Sequence, residues 1–106
     1  MTYTEQQIRD MKPGTGLDSM VERCIMKTKK VPKFYSTDMD AAMVVEATIL
    51  SMDDETKVRY MQALWDVLNI PVGEEDHWVN ILKMVHASAA DRCRAALLAL
   101  RGGASG

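Results

Sequence analysis

One stretch with few charges, residues 36–50, constrains the fold most. Thr37 is a predicted helix N-cap, because its hydroxyl can accept a backbone N–H two or three positions later, and Asp40 completes a capping box. Between residues 39 and 50 the only charged side chains are those of Asp40 and Glu46. So few charges are typical of a helix that is buried on most sides. We therefore predict that 39–50 is the central helix, around which the rest of the chain packs.

Four other stretches carry apolar residues at helical spacing. From Leu17 onward they recur at i+3, i+4, i+7 and i+8, which predicts a helix from Gly16 to Lys27. Its predicted outer face holds Asp18, Glu22, Arg23 and Lys27. The predicted apolar faces of the four helices are, in chain order, Leu17, Met20, Val21, Cys24 and Ile25; Val58, Met61, Leu64, Trp65 and Leu68; Trp78, Ile81, Leu82 and Val85; and Cys93, Ala96, Leu97 and Leu100.

Capping and turn residues separate these helices. The predicted N-caps are Thr4 of a short turn that ends at Pro13-Gly14, Ser51 and Ser88, and the predicted stops are Pro32, residues 69–73 and Gly102-Gly103. The predicted fold is all-α, a compact bundle of five main helices plus a short N-terminal helical turn. We expect one domain over 1–106, in which 1–14 is a loosely attached leader and 102–106 a flexible tail.

Composition agrees with a small helical protein of the cytosol. The chain has 106 residues, 47% of them apolar, and nine Met against one Phe, which favours an adaptable helical core over β structure. Cys24 and Cys93 fall on apolar helical stripes, so we predict free buried thiols in a reducing compartment. The sequence contains no secretory signal and no apolar run long enough to span a membrane.

Charge is unevenly distributed along the chain, whose formal net charge is −2. Through Tyr35 there are seven Lys or Arg against four Asp or Glu, and from Ser36 onward there are six against eleven. The first part is therefore net positive and the second net negative. This polarity indicates a contact surface of one sign. It does not indicate a nucleic-acid-binding protein, because the chain as a whole lacks the basic excess that phosphate contacts require.

The sequence offers no catalytic constellation, and we predict that the protein is not an enzyme and holds no metal or cofactor. His77 and His86 are nine residues apart, which places them on opposite faces of a single helix. The acids before His77 suit a helix start better than a metal site. Both cysteines are predicted to be buried, and the glycines of residues 12–16 lack the spacing and the preceding strand of a phosphate-binding loop.

Two groups of charged residues are the candidates for a partner contact. The basic group, Lys29, Lys30 and Lys33 with the aromatic Tyr35, has a composition that can hold phosphates and stack a base. The acidic group comprises Asp53, Asp54 and Glu55 together with Glu74, Glu75 and Asp76. The alternative for the basic group is a solvated turn whose two aromatics, Phe34 and Tyr35, face the core. The alternative for the acidic group is that these acids only stabilise the starts of helices. Trp65 and Trp78 are either core anchors or binding hot spots.

Three segments in the same order resemble small phage and prophage proteins of the phage ABA sandwich type. They are Leu17-Asp18-Ser19-Met20-Val21-Glu22, the segment Phe34-Tyr35-Ser36-Thr37-Asp38 that continues to Glu46, and Asp91-Arg92-Cys93-Arg94-Ala95-Ala96-Leu97 continuing to Leu100. The resemblance covers about half the chain and implies a phage or prophage origin, without catalytic residues. It also implies strands between the second and third segments, whereas residues 52–85 have the pattern of two helices.

These observations favour a phage-encoded, non-enzymatic protein of the bacterial host cytoplasm. It is expected to bind and modulate a host protein or ribonucleoprotein complex, by analogy as an inhibitor of bacterial defence of the anti-CRISPR kind. Two alternatives remain: an accessory protein that binds nucleic acid or a nucleotide through the lysine cluster, and a small phage structural or assembly protein, for which a homo-oligomer is possible.

Overall fold

The computed structural model describes residues 4–28, 31–69 and 77–104, with the backbone alone for residues 77, 78, 80 and 102–104. The described residues form six α-helices and one π-helical turn: α1 (Glu5–Asp10), α2 (Thr15–Val21), the π-helical turn (Glu22–Met26), α3 (Met39–Leu50), α4 (Asp54–Val67), α5 (His77–Val85) and α6 (Ala89–Ala104). No strand occurs among these residues, and the predicted all-α fold is confirmed. None of the described helices combines the length and the apolar character that crossing a membrane requires.

The last helix, α6, occupies the centre of the fold. It packs against α1, α2, the π-helical turn, α3 and α4. Small side chains fill its buried positions: Ala90, Cys93, Ala95, Ala96 and Ala99. Because small residues let neighbouring helices approach closely, α6 can contact helices on several sides. The prediction that 39–50 would be the central helix is wrong.

Helix α3 instead lies at the edge of the core. It buries only Ala42, Val45 and Ile49, whereas Met43 is 42% exposed and Val44 47% exposed. Its few charges therefore reflect an apolar surface and not burial on most sides. Its N-cap is Asp38, whose side chain accepts the N–H of Asp40 at 3.0 Å, and the predicted capping box of Thr37 with Asp40 does not form.

Helix α2 changes its pitch at residue 22, where the π-helical turn begins. A π-helical turn advances by a smaller angle per residue than an α-helix, so the side chains that follow leave the predicted stripe. Cys24 is exposed, and the prediction that it is buried is wrong. Asp18 and Glu22, both predicted on the outer face, are buried. The turn ends at Lys27, which has a left-handed backbone with a φ of 57°.

The N-terminal leader is packed onto α6, contrary to the expected loose attachment. Ile8 of α1 is only 2% exposed and belongs to the core. The guanidinium of Arg94 donates two hydrogen bonds to the carbonyl of Met11, at 2.9 and 2.7 Å. The predicted capping box at Thr4 is confirmed, since its side chain accepts the N–H of Gln7 and its own N–H bonds to the Gln7 side chain.

Two further helix boundaries differ from the prediction. Ser51 closes α3 by donating to the carbonyl of Thr48 at 2.7 Å, and the N-cap of α4 is Asp53. Helix α6 starts as predicted, with the Ser88 hydroxyl accepting the N–H of Asp91, but it continues through the glycine pair to Ala104. Residues 105 and 106 of the expected tail lie outside the described residues.

Candidate binding surfaces

An apolar groove lies between α3, α4 and α5 and has a volume of about 460 Å³. We call it the methionine groove. Its walls are Met39, Met43, Met61, Leu64, Ile81, Met84 and Val85, and the two polar side chains that line it are Glu46 and Arg92. Unbranched, polarizable methionines adapt to partners of different shape, and they are frequent on surfaces that bind helices.

Glu46 and Arg92 form a buried ion pair in this groove. Arg92 Nη1 lies 2.6 Å from Glu46 Oε1, and the hydroxyl of Tyr60 donates to the same oxygen at 2.7 Å. Burial and the adjacent carboxylate raise the pKa of Tyr60 well above its ordinary value. A guanidinium and a neutral hydroxyl thus share one oxygen of this carboxylate.

Arg92 also holds the C-terminal end of α5. Its Nη2 donates to the carbonyl of Val85 at 2.7 Å and to that of Met84 at 3.2 Å, and its Nε donates to the carbonyl of Ala87. A guanidinium at this place satisfies carbonyls that the end of a helix leaves without partners. Because Arg92 belongs to α6 and pairs with Glu46 of α3, this one residue fixes the position of α5 beside the groove.

Exposed apolar side chains concentrate on the three helices that form the methionine groove, and five of them line the groove itself. Twelve large hydrophobic side chains are exposed among the described residues, and ten of them lie on α3, α4 and α5. These ten are Met39, Met43, Val44, Leu50, Val58, Met61, Val79, Ile81, Leu82 and Val85. The exposure of Val58, Met61, Ile81, Leu82 and Val85 overturns their prediction as core-facing residues. Contiguous exposed apolar surface of this kind marks interaction sites.

Carboxylates flank the groove at the start of α3. Asp38 and Asp40 are exposed, and neither forms an ion pair with any described residue. Lys83 of α5 is exposed as well, but helical geometry places it nearly opposite the groove residues Ile81 and Val85. The uncompensated charge beside the groove is therefore negative.

A second surface surrounds the π-helical turn, and we call it the basic turn, with Arg23, Lys27, Lys33 and Phe34 as its members. All four are exposed, Phe34 by 69%. Two hydrogen bonds to Glu22 hold its segments together, one from the Tyr35 hydroxyl at 2.7 Å and one from the Thr28 hydroxyl.

Tyr35 is not available for base stacking, although the sequence made it a candidate. It is 2% exposed, and burial together with the Glu22 carboxylate raises its pKa to about 12. The exposed aromatic residue is Phe34, whereas the sequence analysis names Tyr35 as the candidate. Of the two adjacent aromatics predicted to pack beneath α3, only Tyr35 is in the core. Lys33 is exposed as predicted, whereas Lys29 and Lys30 lie outside the described residues.

The acids at the start of α4 are exposed but have local partners. Asp53 accepts a hydrogen bond from Thr56, which lowers the pKa of its carboxyl. Asp54 pairs with Lys57 at 3.5 Å, and Glu55 pairs with Arg59 at 2.8 Å. These contacts reduce the negative charge that a partner would meet there. The other acidic candidates, Glu74, Glu75 and Asp76, lie outside the described residues.

Trp65 and the buried thiol of Cys93 add no further candidate site. Trp65 is half-buried, and the side chains of Trp78 and His77 lie outside the described part of the structure. Burial raises the pKa of the Cys93 thiol to about 12, with a contribution from the charge of Asp18. Among the described residues, His, Cys, Asp and Glu form no group that could hold a metal ion.

The residues that line the methionine groove were not among the predicted site residues. A signal for them existed in the nine methionines and in the low charge of α3, which the sequence analysis attributes to burial.

Comparisons with protein families, with curated proteins and with solved structures found no match to this chain.

Proposed function

We propose that this protein is a non-enzymatic binding protein whose methionine groove accepts an amphipathic helix of a partner protein. The observation that carries the proposal is the concentration of exposed apolar side chains on α3, α4 and α5. Five of these side chains line the groove, and a partner that covers them gains the hydrophobic free energy of their burial.

A helix is the partner element that fits the groove best. The walls come from three helices, and a groove between helices typically accepts another helix, with apolar anchors at i, i+3, i+4 and i+7. Four of the seven wall residues are methionines, which can adjust their side chains to such anchors. Because Glu46 and Arg92 neutralise each other, the buried part of the helix needs no charge.

Charge complementarity favours a partner helix with basic residues beside its apolar face. Asp38 and Asp40 are exposed without ion pairs at the edge of the groove. The chain from Ser36 onward also carries eleven acidic against six basic residues, which attracts a cationic partner over longer distances. Exposed charges of this kind act chiefly on the association rate and are sensitive to salt.

The chemistry of the buried groups supports binding over catalysis. Cys93, Tyr35 and Tyr60 have raised pKa values and are thus protonated at neutral pH. A protonated, buried thiol or phenol is a poor nucleophile and a poor base.

The resemblance to phage proteins of the ABA sandwich type extends the proposal to the partner's source. On that basis the partner belongs to a complex of the bacterial host, and complexes of bacterial defence are the first to test. The competing proposal, a phage assembly protein, predicts a ring or a higher oligomer. Light scattering of the purified protein separates the two, since an inhibitor is expected to be a monomer or dimer.

Affinity capture with a matched pair of variants tests the groove. Met43→Glu places a charge in the groove wall, whereas Val44→Glu places one at a similarly exposed position of α3 that does not line the groove. From a nuclease-treated bacterial lysate, the wild type and Val44→Glu should retain the same partner, and Met43→Glu should lose it. When the captured complex is chemically crosslinked, the partner peptide linked to the groove should have the sequence of a basic amphipathic helix. Equal retention by Met43→Glu would contradict the proposal.

A further inference from the structure

We propose that the basic turn is a second binding site, which holds a short segment of single-stranded nucleic acid by stacking a base on Phe34 and contacting phosphates with Arg23, Lys27 and Lys33. This site uses other residues than the methionine groove and stands independently of it. It combines an exposed aromatic ring on an ordered backbone with three exposed cations that form no ion pair with a described residue, a side-chain set that suits unpaired bases.

The backbone on both sides of Phe34 is fixed. The Phe34 carbonyl accepts the N–H groups of Asp38 at 2.8 Å and Thr37 at 3.2 Å, and the N–H of Tyr35 donates to the Lys33 carbonyl at 2.8 Å. Tyr35 itself is buried, with its hydroxyl on Glu22. The Phe34 ring is therefore held outward by an ordered turn, and a base that stacks on it need not order a flexible loop.

The next residue along, Ser36, ties the same turn to α2. The Ser36 N–H and hydroxyl both donate to Asp18 Oδ1, at 2.8 and 2.7 Å, and the Gly14 N–H donates to the Ser36 hydroxyl at 2.8 Å. These bonds are buried or partly buried and involve no charge on the outer surface. They anchor the turn from below and leave its outer surface to Phe34 and the cations.

The cations of the basic turn are not paired with acids of the described residues. Arg23, Lys27 and Lys33 form no ion pair with any described residue, whereas Arg9, Lys57, Arg59, Arg92 and Arg94 all do. Of the carboxylates near the turn, Asp18 and Glu22 are buried and accept hydrogen bonds from hydroxyl groups, and Asp38 is exposed and forms no ion pair with a described residue either. The three cations are consequently free to contact an anion from outside.

An exposed aromatic ring beside cations is the combination that single-stranded nucleic acid requires. Every base has a face that can stack on Phe34, and the flanking phosphates can reach the cations. A duplex keeps its bases stacked on one another, so the ring has no partner there.

Fluorescence anisotropy with labelled octanucleotides, oligo-dT and oligo-rU, tests the proposal on the intact protein. We expect binding at 20 mM salt, with a slope of about −2 in a plot of log K against log salt, because each of three phosphate contacts contributes about −0.7. Phe34→Leu should weaken binding roughly tenfold or more, since it keeps an apolar side chain but loses the aromatic face. Phe34→Tyr should bind like the wild type.

Cation variants and an acidic competitor complete the test. Lys33→Ala should reduce the salt slope by about 0.7, and Lys83→Ala, which removes an exposed cation of α5, should leave it unchanged. Circular dichroism confirms that each variant is folded. The proposal is overturned if no oligonucleotide binds at 20 mM salt, if Phe34→Leu binds as well as Phe34→Tyr, or if polyglutamate competes as well as the oligonucleotide. The last result would identify an acidic protein surface as the ligand.

Discussion

The charge contents of α3 and α6 predict that α3 is the central helix, and the structure shows the opposite. Helix α3 has two charged residues in twelve, and α6 has four in sixteen, yet α6 is the central helix and α3 lies at the edge. The difference is side-chain size. Helix α3 buries Ala42, Val45 and Ile49, whereas α6 buries five alanines, which allow close contact on several sides. The volume of side chains, more than their polarity, decides here which helix becomes the centre.

The largest effect is expected where α6 carries a buried charge. Arg92→Met leaves Glu46 without its cation and frees the carbonyls of Val85 and Ala87. Removing one member of a buried ion pair costs about 3–5 kcal/mol, to be measured by urea denaturation. The double variant Glu46→Met with Arg92→Met should recover much of this loss. A single variant within 1 kcal/mol of the wild type would show that the pair does not hold α5.

The second-largest expected effect is a loss of stability at alkaline pH, caused by the buried side chains of Tyr35 and Cys93. The pKa of Tyr35 is raised from 10.0 to about 12, and that of Cys93 from 9.0 to about 12. Below about pH 8 both groups are protonated whether folded or unfolded. Above it the unfolded chain releases their protons first, so stability falls as pH rises to 12, by about 2 kcal/mol for Tyr35 alone.

Unfolding free energies between pH 8 and 12 test this expectation. Tyr35→Phe should show a shallower loss above pH 10, and Cys93→Ala a shallower loss above pH 9. If both variants follow the wild-type curve, neither group is responsible for the decline.

A matched pair of alanine substitutions tests the role of side-chain volume directly. Ala96 of α6 is fully buried, and Ala47 of α3 is exposed. Ala96→Leu should cost about 1–3 kcal/mol, because the enlarged side chain separates α6 from its neighbours, whereas Ala47→Leu should stay within about 0.5 kcal/mol. Equal effects would remove volume as the explanation for the central place of α6. Thermal denaturation measures both.

The smallest effect on stability, and the clearest on reactivity, is expected at the two cysteines. Cys24 is exposed on the π-helical turn and Cys93 is buried. A thiol reagent such as DTNB should modify one thiol per native chain and two after denaturation. Cys24→Ser should abolish the fast reaction with little change in stability. A native chain with two fast thiols would contradict the burial of Cys93.

The all-α fold and most helix positions could be predicted from helical spacing and capping residues. Ser88 and Thr4 act as predicted because an N-cap depends on a few neighbouring atoms. The burial of Asp18 and Glu22 could not be predicted, since their partners, Ser36 and Tyr35, are distant in sequence. With these partners the carboxylates need no solvent, so the polar-out rule fails for both.

The candidate surfaces were predictable only in part. The basic character of residues 27–33 is plain in the sequence, but nothing in it distinguishes Phe34 from Tyr35 as the exposed ring. That difference arises from the contact of the Tyr35 hydroxyl with Glu22, a residue distant in sequence. The methionine groove was missed because an apolar helix is usually a buried one, and helical spacing alone does not tell which apolar face lacks a neighbour.

The position of α6 in the chain has a consequence for how the protein folds. Helices α1 to α4 all rest on α6, which follows them in sequence, and the bond from Arg94 to Met11 closes a loop of 83 residues. The earlier helices therefore lack most of their core until α6 has been synthesised. Such dependence on distant contacts slows folding and leaves apolar surfaces open during translation. Assembly of this small core is a single late event, set by the arrival of its last helix.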